Sequence, residues 1–530
     1  MRARTKVFLA FLAAVAAAVY YYVTIPAVNI HSSGFWMFIL SLVIVITFLC
    51  SARSFRMGYP IREITPMKVG LILASVLLII YIVGGILSSP IVNAKKYHEL
   101  MAVEEGTFTE DIAEVDYNEI PLLDKSSATL LGNRKMGSLI DMVSQFEVSP
   151  LYTQVNFQGK PVRVTPLVYA SPIKWLTNMS EGIPAYIMID MTTQNTECVR
   201  LQNGYIKYSQ SEYFNRNIYR HLRFRYPTYI FDQLSFEIDE EGTPYWICPV
   251  KKFNIGLFGG QTIGKVVLCN AVTGQTDCYD IADCPQWVDA VYSADLLIEL
   301  YDYYGVYMNG FFNSILSQKG CLQTTDGYNY LAMKDDVWVY TGITSVSGDE
   351  SNVGFVLINQ RTMEAKYYAC PGAEEYSAMN SAEGQVQNLG YRSTFPLLLN
   401  VAEEPTYFMA LKDGAGLVKK YAMVNIKKYQ NVAIGDTVAE CEKAYINLLK
   451  TNGISSGTAA VGESVSGTIE TIAPVVLEGN SHYYVVISGK DMIFDVSVGE
   501  YPEIVRYKEG DTISMEYIDG GQTQTVTGLK

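Results

Sequence analysis

The sequence predicts an α+β protein: three N-terminal transmembrane helices, then repeated β-hairpin-plus-helix units, then a small C-terminal β-barrel. Three observations predict it. The first 92 residues hold three long uncharged stretches bracketed almost wholly by basic residues. A turn of one chemistry recurs through the middle of the chain, each time closing a strand-like run. Five short alternating runs end the chain.

The apolar stretches come first. No Asp, Glu, Lys or Arg occurs between Lys6 and Arg53. Residues 7–28 and 35–50 therefore read as two spans joined by a short link after Pro26, and residues 69–92 as a third, because about 20 apolar residues cross a bilayer. Lys and Arg beside a span are retained on the cytoplasmic side. Arg2, Arg4 and Lys6 precede the first span, Arg53, Arg56, Arg62 and Lys68 separate the second from the third, and the link has none. A multi-pass protein of the cell membrane is expected, with its N-terminus cytoplasmic and the chain from about Asn93 onward extracytoplasmic. A basic start before an Ala-rich run also fits a cleaved signal peptide, which would leave the remaining topology unchanged. Intramembrane charges, which mark transport pathways, are missing from all three stretches.

Charge divides the chain the same way. Residues 1–92 carry a net +6 and the whole chain −14, so the exterior carries −20. Such an acidic surface argues against nucleic acid or anionic lipid as its partner, since phosphate binding needs clustered Lys and Arg. Beyond the lipid bilayer itself, the partners that remain are envelope proteins, basic peptides, cations or wall glycans.

Residues 93–450 form the expected repeat region, rich in strand-favouring aromatics, with 39 Tyr and 21 Phe in the chain. Gly159-Lys160-Pro161, Gly242-Thr243-Pro244 and Glu404-Pro405 each open a strand-like run. Apolar runs end at Asp190 with Thr193, Asn270 with Thr273 and Asn359 with Thr362, at intervals of 80 and 89 residues. A fourth copy, Asn425 with Lys428, lacks the Thr. Asn and Asp bond their own backbone two residues on, and Gly274 supplies positive φ in the second copy. Return strands follow at 197–201, 277–281 and 365–369, and helical stretches at 211–222, 285–304, 373–387 and 436–449. A strand pair cannot bury its apolar face alone, so a helix or a neighbouring unit must complete each core.

The run Val266-Val267-Leu268-Cys269-Asn270-Ala271-Val272-Thr273-Gly274 resembles the strand-turn signature of PepSY-type domains, which occur in tandem on extracytoplasmic faces of bacterial envelope proteins. The resemblance covers the turn and flanking strands of each unit. It implies binding or modulation and brings no catalytic residues. An insertion at 251–262, with Gly256, Gly259 and Gly260, departs from a minimal unit.

Residues 451–463 have a linker composition, rich in Gly, Ser, Thr and Ala. Five alternating runs with Gly-containing turns then fill residues 464–530 and resemble a small barrel of OB type. Such barrels often bind oligonucleotides or oligosaccharides. From Glu463 on, four basic residues face eleven acids, which disfavours a nucleic-acid groove.

No catalytic, metal-binding or cofactor-binding motif appears, and no cofactor is expected. His98, His221 and His482 stand far apart without supporting motifs. With a two-residue turn at Thr273-Gly274, Cys269 and Cys278 would face each other, making them the candidate cross-strand disulfide, with buried free thiols as the alternative. Arg216, Arg220, Arg223 and Arg225, with His221, interrupt the acidic exterior. They are the candidate site for an anionic ligand such as a wall polymer or lipid head group, on a helix up to Arg220 and on one side of a strand beyond. A solvated face, or pairing with acids of other repeats, is the alternative. The expected function is a membrane-anchored envelope protein that binds or scaffolds. The competing reading is an envelope hydrolase using Asp239 and Glu241 beside Tyr245 and Trp246, which needs carboxylates about 5–9 Å apart in a cleft.

Overall fold

Helices Ala3–Thr24, Ser33–Arg56 and Thr65–Ser88 occupy the three apolar stretches in the computed structural model. It describes residues 3–529 except 58, 61–63, 115–119, 334, 347–350, 453–462, 478–479, 500 and 520–522. Among the described residues two helices, not three, are long and apolar enough to cross a membrane: Ser33–Ala52, 20 residues, and Thr65–Ser88, 24 residues. The apolar part of the first helix that can be described, Ala13–Thr24, is shorter than a span. Of the basic residues from which the orientation is expected, Arg2, Arg4, Lys6, Arg53 and Arg62 lie outside the described side chains. The third helix stops at Ser88 instead of reaching residue 92. Pro90 opens a separate helix, Pro90–His98, and Ser89 before it is extended at ψ 160, because proline bars its predecessor from helical geometry. Gly70 lets the second and third helices touch, since a Cβ there would stand 1.8 Å from Thr47 Oγ1.

Beyond these helices the chain builds four antiparallel meanders of four strands rather than simple hairpins. The first comprises Thr153–Phe157, Lys160–Tyr169, Ala185–Asp190 and Thr196–Arg200. The second comprises Ser235–Ile238, Pro244–Ile255, Gly259–Asn270 and Thr276–Asp280. The third comprises Asn329–Met333, Asp336–Ser345, Ser351–Asn359 and Ala365–Ala373. The fourth comprises Leu397–Val401, Glu404–Lys412, Val418–Asn425 and Val432–Gly435. A helix follows each: Ile218–Arg225, Ala294–Val306, Glu375–Gln385 and Val438–Thr451. The recurring turn joins the third and fourth strands every time. Asp190 Oδ1 accepts from the N–H of Thr192 and Thr193 at 2.9 and 2.8 Å. Asn270 does so for Val272 and Thr273, and Asn359 for Arg361 and Thr362. Asn425 holds Lys428 alone.

Sheets stack face to face in chain order because alternate residues of each strand serve different neighbours. Val164, Ile187, Trp246 and Val267 fill the layer between sheets one and two. Ile247, Val266, Val339 and Val356 fill the next, and Tyr340, Phe355, Leu398 and Met409 the third. Residues 120–124 join the fourth sheet to the first: Leu122 N–H donates to Met191 O at 2.8 Å and Lys412 Nζ to Asp124 Oδ1 at 2.7 Å. First strands of neighbouring sheets pack on one another, Thr153–Phe157 on Ser235–Ile238 and Asn329–Met333 on Leu397–Val401, as the innermost strands of propeller blades do.

The insertion at 251–262 is the tip of the long hairpin in sheet two, and it reaches the apolar helices. Leu257 and Phe258 N–H both donate to Ser88 Oγ, at 2.8 and 3.1 Å. His31 in the link stacks on Phe253, its Nδ1 2.7 Å from Leu257 O. The C-terminal runs form a closed five-stranded barrel in the order Glu463–Leu477, Asn480–Ile487, Ile493–Ser497, Gln524–Leu529, Thr512–Asp519. Lys443 on the helix ahead of it donates to Tyr501 Oη at 3.0 Å, docking the barrel. Most of the expected linker, 453–462, lies outside the described residues.

Candidate functional site

The first hairpin of sheet one sets the site. Its turn places Gln158 at φ 52 and Gly159 at φ 75, the pair of positive values that a tight two-residue hairpin turn requires. The register that follows puts Gln154 directly opposite Arg163. Val162 and Val164 on either side point into the core against sheet two, so Arg163 and Gln154 face the other way. There they line a cavity of about 480 Å³. Thr153, Ser235 and Asn329, from the starts of three innermost strands, contribute to it, with Phe395 from just before the fourth.

Both facing polar residues are buried, Arg163 to 4% exposure and Gln154 to 5%. Arg163 Nη2 donates to Gln154 Oε1 at 3.4 Å, while Arg163 Nε and Gln154 Nε2 have no partner. Burial lowers the Arg163 pKa, yet a guanidinium stays charged in a protein. The carboxylate in the wall is committed elsewhere: Asp124 takes Lys412 Nζ on both oxygens at 2.7 Å and the Ser127 N–H at 2.8 Å. Burial alone would raise its pKa, but Lys412 and Ser127 outweigh it and hold Asp124 below its ordinary range. At the rim Lys125, Gln233 and Asp295 are exposed, and Tyr328 Oη donates to Asp295 at 3.3 Å.

A buried acid pair lies beside this cavity. Glu237, with no exposure, accepts from the N–H groups of Asp289 and Ala290 at 2.9 and 3.0 Å. Burial pushes its pKa up to about 7. Asp289 accepts from Asn156 N–H at 2.7 Å, and burial, then the Glu237 charge, raise its pKa. These bonds pin the connection around Asp289 to two innermost strands. Among the described residues no cluster of three His, Cys, Asp or Glu could hold a metal ion.

The residues expected from sequence fall elsewhere. Cys269 faces Thr276 and Cys278 faces Val267, so the two thiols are not opposite, and both are free. The turn is longer than the two-residue one that would pair them: Asn270 N–H donates to Gln275 O, and Ala271 to Gly274 lie between. Residues 221–225, expected as strand, belong to the helix Ile218–Arg225, which Asn217 caps. Arg216 donates to Met179 O, Arg220 lies over the Tyr22 ring at 5.2 Å, and Arg223 Nε donates to Ile25 O at 3.0 Å. Arg225 is exposed. The structure thus gathers Arg220 and Arg223 at the end of the first apolar helix. Asp239 and Glu241 belong to one turn, where Asp239 Oδ1 accepts from Thr243 N–H at 2.7 Å, and Trp246 is core. Nothing in the motifs or charge clusters of the sequence singles out Arg163. Its signal is a single charge set between Val162 and Val164 in an apolar strand. No family model matches the chain, and no curated protein matches it.

Proposed function

We propose that this chain is a membrane-anchored binding or scaffolding protein of the cell envelope, its N-terminus cytoplasmic and its stacked sheets and barrel on the extracytoplasmic side. The observation that carries this is the docking of sheet two on the apolar helices. The hairpin tip at Ser88, Arg223 at Ile25 and Asn29 Nδ2 on Thr228 O at 2.9 Å tie the sheets to both the link and the third helix. One body thereby joins helices that need lipid to a stack that offers a cavity.

Uncovered apolar side chains support the same placement. Helix Phe311–Leu316 leaves Phe312, Ile315 and Leu316 exposed. It borders the helix that leaves the third apolar helix, through Tyr307 against both Tyr97 and Phe311 at 6.4 Å. Exposed aromatic and aliphatic groups beside a span suit the bilayer interface. The four units, three closed by the same turn and the fourth by a variant of it, support the reading as PepSY-like tandem repeats, and the closed five-stranded barrel supports an OB-type partner- or glycan-binding domain.

Two measurements on the full chain test this reading. Ile140 is exposed at the tip of a turn, so Ile140→Cys in cells should react with a membrane-impermeant maleimide above the parent level. Labelling only after the membrane is breached would overturn the topology. The nanodisc-embedded chain should retain a specific component of the host's membrane and wall fractions, and retention of none would overturn the binding role.

A further inference from the structure

We propose that the cavity at the starts of the first strands of sheets one, two and three, with Phe395 from just before sheet four, binds a small oxyanion, a molecule presenting a carboxylate or phosphate group, with Arg163 and Gln154 as its ligands. This rests on the reading of the chain as a binding protein and names the chemistry of what it binds. Arg163 takes part in no ion pair among the described residues, and its one side-chain bond is the long contact to Gln154. A buried charge is normally paired and its remaining hydrogen-bonding groups satisfied, because desolvation without a partner is costly. Here the fold has used up the nearby carboxylate: Asp124 is held by Lys412 from the fourth sheet and by the start of its own helix.

Three buried atoms of the lining have no partner: Arg163 Nε and Gln154 Nε2, which can only donate, and Tyr152 Oη, which can donate too. Unspent donors beside a buried cation suit an acceptor-only group, and ionised carboxylates and phosphates are such groups. A guanidinium adds charge and a planar fork that takes two oxygens at once. The cavity volume is within the range for small-molecule sites. Lys125 at the rim places a second cation on the approach, and Tyr328 and Tyr330 supply apolar wall.

Binding of inorganic phosphate and of succinate to the full chain in nanodiscs, followed by calorimetry at constant ionic strength with chloride as control, tests the assignment. Saturable binding of at least one oxyanion is expected, and the stronger of the two distinguishes phosphate from carboxylate. Arg163→Met should weaken it at least tenfold, with Arg163→Lys retaining part. Gln154→Glu keeps the shape and gives Arg163 an internal carboxylate. It should abolish oxyanion binding and raise the melting temperature of the ligand-free protein, so the test survives if Arg163→Met fails to fold. No binding of either probe, or equal binding by Gln154→Glu, would overturn the assignment. Retention of a host component that persists in Gln154→Glu would show that the broader binding role stands without it.

Discussion

At the scale of single residues, the buried polar groups make the sharpest predictions. His482 in the barrel is 1% exposed, with Nδ1 2.8 Å from Asp495 Oδ1. Burial works against its charged form, but the Asp495 hydrogen bond and charge, with Glu440 and Asp436 adding, hold its pKa above the ordinary 6.5. A folded pKa above the unfolded one means that the bound proton stabilises the fold. That contribution is fully present below the unfolded value and is lost as pH rises through the folded one. Glu237, raised to about 7, acts in the same sense between its unfolded pKa and that value. NMR titration of the His482 ring should therefore give a midpoint above 6.5, which Asp495→Asn lowers; a midpoint at or below 6.5 in the parent protein contradicts the pairing. Asn359 offers a second case. It holds two turn N–H groups and donates to Asp336 at 2.8 Å, while Arg361 binds Asp336 through Nε and Nη2. Asn359→Ala should cost about 2 kcal/mol of stability, since it strands buried partners. The corresponding Asp190→Ala, in a wetter turn, should cost less by the same thermal-unfolding measurement.

Elements meet where glycine allows it. Gly259 in the sheet-two hairpin lies so close to the third helix that a Cβ would stand 2.2 Å from Ser88 O and 2.4 Å from Tyr97 Oη. Backbone cannot yield as a flexible side chain does, so Gly259→Val must push the hairpin tip away. The N–H groups of Leu257 and Phe258 would then lose their acceptor, Ser88 Oγ. Hydrogen exchange at those two amides should quicken at least tenfold, while sheet four stays protected. Unchanged exchange would show that the tip is not what fastens the stack.

For the whole molecule, the uncovered apolar groups predict where the stacked sheets rest. Phe312 and Leu316 are 74% and 79% exposed, beside the helix that follows the third apolar helix. Phe312→Trp in vesicles should be quenched by lipids brominated near the head group. A tryptophan introduced at Ile140, 90% exposed and outside this contact, should not. Equal quenching at both positions would reject a seated orientation.

Much of the fold was legible because its signals are local. Uninterrupted apolar runs marked the helices at 33–56 and 65–88, and the Asn or Asp turn marked the end of the third strand in every meander. Alternation alone revealed the barrel. The legible part ends where the outcome depends on distant partners. The register around Cys269 depended on a backbone bond from Asn270 to Gln275, and the strand expected at 221–225 became helix once Asn217 capped it. The basic cluster stands out by its density, yet Arg220 and Arg223 meet Tyr22 and Ile25, some 200 residues earlier. Arg163 does not, because a lone charge in a strand becomes informative only when stacking has buried it and Lys412 has claimed Asp124. Sequence by itself determined the apolar helices, the repeating turn and the terminal barrel, since each follows from side chains close together along the chain. Tertiary structure alone decided that the starts of strands from three sheets line a cavity beside a guanidinium with no ion-pair partner among the described residues, because burial and the spending of charges are properties of packing.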